Sequence, residues 1–215
     1  MTAMSVREVP TRQGPARLHR TGRSPRGAAT LVLGHGAGGG VDAVDLQALA
    51  AAVSAAGHAV VLVEQPWRVA GRRLAPRPEA LDEAWLEAVR ALRPGGPLVV
   101  GGRSAGARVA CRTAGTLGAA AVVALAFPLH PPGRPERSRA EEIRACPVPV
   151  LVLQGDRDPF GSPDEVRRGV GRSRPGVRVV PIPGADHGLS RGDLGPAAAA
   201  VVALLAGVGE RSAAE

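Results

Sequence analysis

Tyrosine and lysine are both absent from this chain, and aromatic residues of every kind make up 2% of it. With so few rings there is no stacking platform of the kind that holds single-stranded nucleic acid. A core must instead come from Val, Leu and Ala, since hydrophobic residues still reach 45%. Cysteine is almost as scarce. Cys111 and Cys146 are the only two, one inside an expected helix and one at a helix end, which excludes a disulfide framework and fits a reduced intracellular protein. Residues 1–18 contain no apolar run of the signal-peptide type, and the Ala-rich stretch 197–208 is too short to cross a bilayer. Phosphate-loop, H-E-x-x-H and paired C-x-x-C motifs are missing too, which removes the usual grounds for nucleotide or zinc chemistry. The expectation is a soluble, cytoplasmic protein with no cofactor, metal, membrane or nucleic-acid partner, either monomer or homodimer.

The charge balance is one-sided, with a formal net charge of +8. All 27 basic residues are arginine, and they are scattered without a dense run. A compositional bias toward Arg, Ala, Gly and Pro explains this more simply than a polyanion partner, because no nucleic-acid reading module accompanies the charge. A mildly anionic substrate is compatible with it.

At 215 residues the chain suits one domain: edge strands in 1–27, a core over 28–208 and a short polar tail at 209–215. Segments 6–9 and 16–19 read as two short antiparallel edge strands joined by a Gly-Pro turn. Apolar runs then alternate with helical patterns. Strands are expected at 30–33, 59–63, 98–100, 120–126, 150–153 and 177–182, and helices at 45–56, 78–92, 105–114, 140–145, 163–170 and 196–206. That alternation implies an α/β fold with a mostly parallel sheet of about eight strands, helices on both faces and no large lid. The sizeable non-periodic segments, 66–77 and 128–139, are expected loops at the C-terminal edge of the sheet, where ligand sites of such folds form.

The most informative motif is Gly102-Arg103-Ser104-Ala105-Gly106. It follows a strand and opens a helix, which is the context of a nucleophile elbow, G-x-S-x-G. A serine hydroxyl needs an imidazole to take its proton, and His187, in a Gly-flanked loop after the last strand, is placed to supply it. The imidazole needs a carboxylate, and the segment after strand 150–153 offers Asp158, with Asp156 as the alternative. Asp186 is adjacent to His187, so its side chain is expected to point elsewhere. The order Ser104, Asp158, His187 is that of α/β-hydrolase triads.

An oxyanion hole needs two backbone amides. Ala105 supplies one, and the loop His35-Gly36-Ala37-Gly38 after strand 30–33 supplies the other, through Ala37 or alternatively Gly38. His35, Gly38, Trp67, Arg103, His130 and Phe160 are candidate walls of the substrate pocket. Each of Trp67, His130 and Phe160 also suits plain packing, and Arg103 suits either an acidic partner or the substrate.

Taken together, His35-Gly36-Ala37-Gly38, Gly102 to Val109, Phe127-Pro128-Leu129-His130-Pro131-Pro132-Gly133, Gln154 to Gly161 and Asp186-His187 resemble a particular α/β-hydrolase family. It is the dienelactone-hydrolase-like group of small hydrolases that includes a testis-expressed hydrolase-like protein and a subunit of the NSL histone acetyltransferase complex. The resemblance spans roughly residues 28–205 and implies the α/β-hydrolase fold, with Ser104, Asp158 and His187 as triad and the His130 loop near the site. Dienelactone hydrolases proper carry cysteine at the elbow, so Ser104 implies a different activity. The resulting expectation is a serine hydrolase that cleaves a small ester or thioester through an acyl-Ser104 intermediate. The alternative that the resemblance raises is a hydrolase-fold scaffold with little or no turnover.

Overall fold

The buried strands are apolar on both faces, and each face is covered by its own set of helices. In the computed structural model, described for residues 5–23, 25–171, 174 and 176–213, the elements run β1 (Ser5–Val9), β2 (Ala16–Thr21), β3 (Thr30–Gly34), α1 (Val44–Ala55), β4 (Ala59–Glu64), α2 (Pro66–Val69), α3 (Pro78–Arg90), β5 (Leu98–Arg103), α4 (Ala105–Thr113), β6 (Ala121–Leu125), α5 (Ala140–Arg144), β7 (Val150–Gly155), α6 (Pro163–Val170), β8 (Val177–Ile182) and α7 (Gly195–Ala213). The strands form one 8-stranded sheet in the order β1-β2-β4-β3-β5-β6-β7-β8. β1 pairs with β2 and β2 with β4 antiparallel, and every other pairing is parallel. This is the α/β-hydrolase arrangement.

Because successive side chains point to opposite faces, Leu31, Leu33, Val60, Leu62, Leu125, Leu151 and Leu153 meet α1 and α7 through Leu46, Leu49, Val53, Val201 and Leu205. Val32, Val61, Val63, Val122, Val150 and Val152 face the opposite way, toward Leu81, Trp85, Val109, Ile143 and Val166 of α3 to α6. Each fully buried Leu or Val contributes roughly 1.5–3 kcal/mol, so the scarcity of rings is made good by number. Trp85 and Phe127 are the large aromatic side chains fully inside. Cys111 and Cys146 are buried free thiols, and burial pushes the Cys111 thiol up.

Two departures from expectation exceed three residues. The stretch 66–77 opens with a helical turn, α2, because Pro66 stands at its first position, where the missing N–H is no loss and φ is already set. α7 continues to Ala213, so most of the expected polar tail is helix. Residues 214 and 215 of that tail, residues 1–4 of the expected edge segment and residue 24 lie outside the described residues. No helix among the described residues is long and apolar enough to cross a membrane.

The sheet's centre is closed by glycine. Gly34 at the end of β3 is in register with Gly102 of β5, and a Cβ at Gly106 would stand 2.5 Å from the Gly34 carbonyl oxygen and 2.7 Å from its carbon. A Cβ at Gly102 would meet the same oxygen at 2.6 Å. Both obstacles are backbone, so no rotamer change relieves them. Gly106→Ala is therefore expected to destabilise the fold by about 1–3 kcal/mol, as overpacking does. Gly38→Ala, where a Cβ meets nothing within 4 Å, is expected to be neutral; urea midpoints of the two variants check both.

Candidate active site

The turn between β5 and α4 holds Ser104 at φ 53° and ψ −111°, a conformation that costs a non-glycine residue about 1–3 kcal/mol. Its amide is anchored on the Leu125 carbonyl at 2.9 Å. A serine preceding a helix ordinarily turns its hydroxyl onto the helix amides. Ser104 makes no such cap. Its Oγ instead lies 2.9 Å from His187 Nε2.

The other ring nitrogen, His187 Nδ1, is 2.8 Å from Asp158 Oδ2. A carboxylate only accepts, so this contact places the proton on Nδ1 and leaves the Nε2 lone pair facing the Ser104 hydroxyl. The Asp158 side chain is fully buried, while that of His187 keeps 19% of its surface. Burying a carboxylate is costly unless donors surround it. Three do so, since Gln154 Nε2 donates to Oδ2 at 3.0 Å and the Phe160 amide to Oδ1 at 2.9 Å, besides His187. Asp156, two residues earlier, is exposed. Asp186 is engaged within its own loop, its Oδ1 accepting from the Gly188 amide at 2.9 Å.

Gln154 is a buried polar residue in the otherwise apolar strand β7. Its Oε1 accepts from the Phe127 amide at 2.9 Å, and its Nε2 also donates to the Gly161 carbonyl at 2.7 Å. It therefore ties the ends of β6 and β7 to the Asp158 loop. Ser162 and Glu165 form a reciprocal capping box at the start of α6, which closes that loop from the other side. The Phe160 ring lies 4.2 Å from the His187 ring, centre to centre, at a 33° tilt. Behind it, the His130 amide donates to the Phe160 carbonyl at 3.1 Å. His130 itself is buried, with Nδ1 2.9 Å from the Pro131 carbonyl.

Arg103 links three segments. Its Nη2 donates to the His187 carbonyl at 3.0 Å, and its Nε lies 2.9 Å from Asp45 Oδ2 in α1. That N–H is not aimed at the oxygen, so the contact acts through charge. Burial pushes the Asp45 carboxyl up from its ordinary value, and Arg103 opposes the rise. Asp45 carried no signal in the sequence; the buried Gln154 did, as an interruption of an apolar strand.

The loop after β3 lies beside the elbow, and a Cβ on Gly36 would stand 3.4 Å from Ser104 Cβ. Ala37 and Ala105 line one small cavity, which Gly38 does not reach. His35 is buried, and its Nε2 accepts the Gln65 amide at 3.1 Å while its Nδ1 meets the Gly36 carbonyl at 2.9 Å. Those contacts fix the proton on Nδ1 and staple the β3 loop to the end of β4. Trp67 is buried in α2, edge-on to His35 at 5.5 Å. Among the described residues no cluster of three or more His, Cys, Asp or Glu could hold a metal ion.

A family model described as an alpha/beta hydrolase domain matches residues 27–199. No curated protein matches the sequence. Solved structures with a similar fold include an α/β serine hydrolase without lid from Xanthomonas campestris, at TM-score 0.70 and 21% identity over 98% of this chain and 95% of that one. An alpha-beta serine hydrolase homologue from Coxiella burnetii superposes at 0.72 with 18% identity over 95% and 96%. Est1E from Butyrivibrio proteoclasticus superposes at 0.75 with 15% identity over 94% and 98%.

Burial holds the His35 pKa below its ordinary value, which couples this loop to pH. Below about pH 6.5 the unfolded chain takes up a proton that folded His35 refuses, so the unfolded state binds more protons and stability falls as pH drops. The loss continues until pH passes the lowered folded value. Urea midpoints measured between pH 7.5 and 5.5 are expected to fall less steeply for His35→Gln than for the unmodified protein.

Proposed function

The chain belongs to the alpha/beta hydrolase domain family, and from that premise we propose that it is a serine hydrolase acting on small esters or thioesters. The observation that carries the proposal is the relay from Ser104 Oγ through the His187 ring to buried Asp158, with contacts of 2.9 and 2.8 Å. A nucleophile, a base within reach of it and a carboxylate orienting the base are the parts that acyl transfer requires.

In the first half-reaction Ser104 Oγ attacks the acyl carbonyl and forms a C–O bond as its proton passes to His187 Nε2. The carbonyl oxygen becomes an oxyanion, received by the Ala105 amide and the Ala37 amide. As the tetrahedral carbon collapses, the bond to the leaving alcohol or thiol breaks and His187 returns the proton to it. Water then attacks acyl-Ser104 with His187 again as base, releasing the carboxylic acid and restoring the serine. Asp158 stays ionised throughout, holding the Nδ1 proton and stabilising the imidazolium. Phe160 covers one face of the ring, and Arg103 holds the backbone of the loop that carries it. The resemblance to the dienelactone-hydrolase-like group supports this reading, and Ser104 in place of the elbow cysteine sets the chain apart from dienelactone hydrolases proper.

Incubation with a fluorophosphonate probe is expected to give one covalent adduct by intact-mass spectrometry, absent from Ser104→Ala. No adduct on folded protein would transfer support to a scaffold role for the fold. Asp158→Asn keeps an acceptor for the Phe160 amide but turns a donor toward His187 Nδ1, forcing the wrong tautomer. Its kcat on a short p-nitrophenyl ester is expected to drop by about 10³–10⁴ with little change in KM.

A further inference from the structure

Rings are scarce in this chain, and most of them are spent on the core. Trp67, Trp85 and Phe127 are buried in one hydrophobic cluster. Tyrosine is absent, so among the described residues Phe160 is the one aromatic side chain that is only half-buried. Core packing therefore does not account for it. Its ring centre lies 4.2 Å from that of His187, with the two planes tilted by 33°. The edge-on pair of His35 and Trp67 is a useful contrast, at 5.5 Å and 62°. Aromatic pairs in general keep their centres about 4.5–7 Å apart. At the shorter distance and smaller tilt, the imidazole of His187 lies over the face of the Phe160 ring and not at its rim.

The main chain holds the ring in that place. The Phe160 amide donates to Asp158 Oδ1 at 2.9 Å, and the Phe160 carbonyl accepts the His130 amide at 3.1 Å. The next residue, Gly161, donates its amide to the Asp158 carbonyl at 3.1 Å and accepts Gln154 Nε2 at 2.7 Å. One tight turn thus carries both the carboxylate that meets Nδ1 of His187 and the ring that covers its face.

In the proposed mechanism His187 is neutral before attack and becomes an imidazolium once Ser104 gives up its proton. The face of a benzene ring is the negative part of its quadrupole and attracts a cation within about 6 Å of its centre. A neutral imidazole gains much less. The contact is therefore stronger after proton transfer than before it, which is the condition for lowering a barrier. Asp158 acts on the new charge through Nδ1, in the plane of the imidazole. Phe160 acts from above that plane, where no hydrogen bond forms.

We infer that Phe160 is a positioning residue of the proton relay, whose ring stabilises the His187 imidazolium formed as Ser104 attacks. The inference rests on the serine-hydrolase reading of the same site.

The test replaces Phe160 by phenylalanines carrying one, two or three ring fluorines, which nearly keep its shape but withdraw negative charge from its face. The limiting rate at which a fluorophosphonate probe labels Ser104 reports the same proton transfer without requiring the natural substrate. Its companion is kcat on p-nitrophenyl acetate. Both are expected to fall with each added fluorine, by about tenfold at three, the scale of a cation–ring contact at a partly desolvated site. KM and the half-saturating probe concentration are expected to stay constant. Phe160→Tyr keeps the ring and is expected to remain within about twofold, whereas Phe160→Leu loses as much as the trifluorinated ring. A packing role gives a loss in Phe160→Leu with no gradient across the fluorinated series. That result, or equal rates throughout, or an effect confined to KM, overturns the inference while leaving the hydrolase reading intact. Should Phe160→Leu fail to fold, the fluorinated series decides alone. Unmodified protein that neither takes the label nor turns over the ester overturns the two together.

Discussion

The backbone of the turn after β5 lies against the Gly34 carbonyl with no side chain between them, and the geometry of the site depends on that approach. Gly34 is in register with Gly102, and Gly106 crosses above it so closely that even a methyl group has no room. Because α4 can start this near β3, Ser104 is thrust forward at positive φ and the loop after β3 comes to lie beside it. Ala37 and Ala105 line the same small cavity for the same reason. Strain at Ser104 is borne by the sheet, through the Leu125 carbonyl and the first turn of α4.

A second constraint acts from the other end of the relay. A buried carboxylate is tolerable only when surrounded by donors, and Asp158 takes one of its three from Gln154, which is fully buried in β7. That one side chain bonds to Phe127, Asp158 and Gly161. The strand ends, the acid loop and the approach to α6 are thus held by a single amide. Arg103 plays the corresponding part on the His187 side, with Asp45 as its counter-charge. The site is therefore fixed by polar ties between loops, while the Leu and Val layers beneath it supply the rigidity against which those ties act.

Much of this was legible in the chain. The strand-helix alternation, the antiparallel edge, Ser104 at a strand-to-helix turn and the loop positions of His187 and the Asp156/Asp158 pair all follow from spacing over short stretches. The one helix missed, α2, is a single turn started by Pro66, too short to show a period. The overrun of α7 has the same cause in reverse, since Gly207 and Gly209 look like stops but sit inside a helix held by packing. The role of Arg103 was ambiguous because the residue type serves substrate and scaffold equally well, and His35, expected as a pocket wall, also ties the β3 loop to the end of β4.

By itself the sequence determined the fold class and the position of the G-x-S-x-G turn, since hydrophobic period and the small glycine motif are local properties written into neighbouring residues. Only the tertiary structure decided which of two aspartates meets His187, that Arg103 is paired with Asp45, and that His35 staples two loops. Each of these is a matter of a few ångströms between residues far apart in the chain. No pattern within one segment encodes such a distance, which is fixed where the twisted sheet brings the strand ends together.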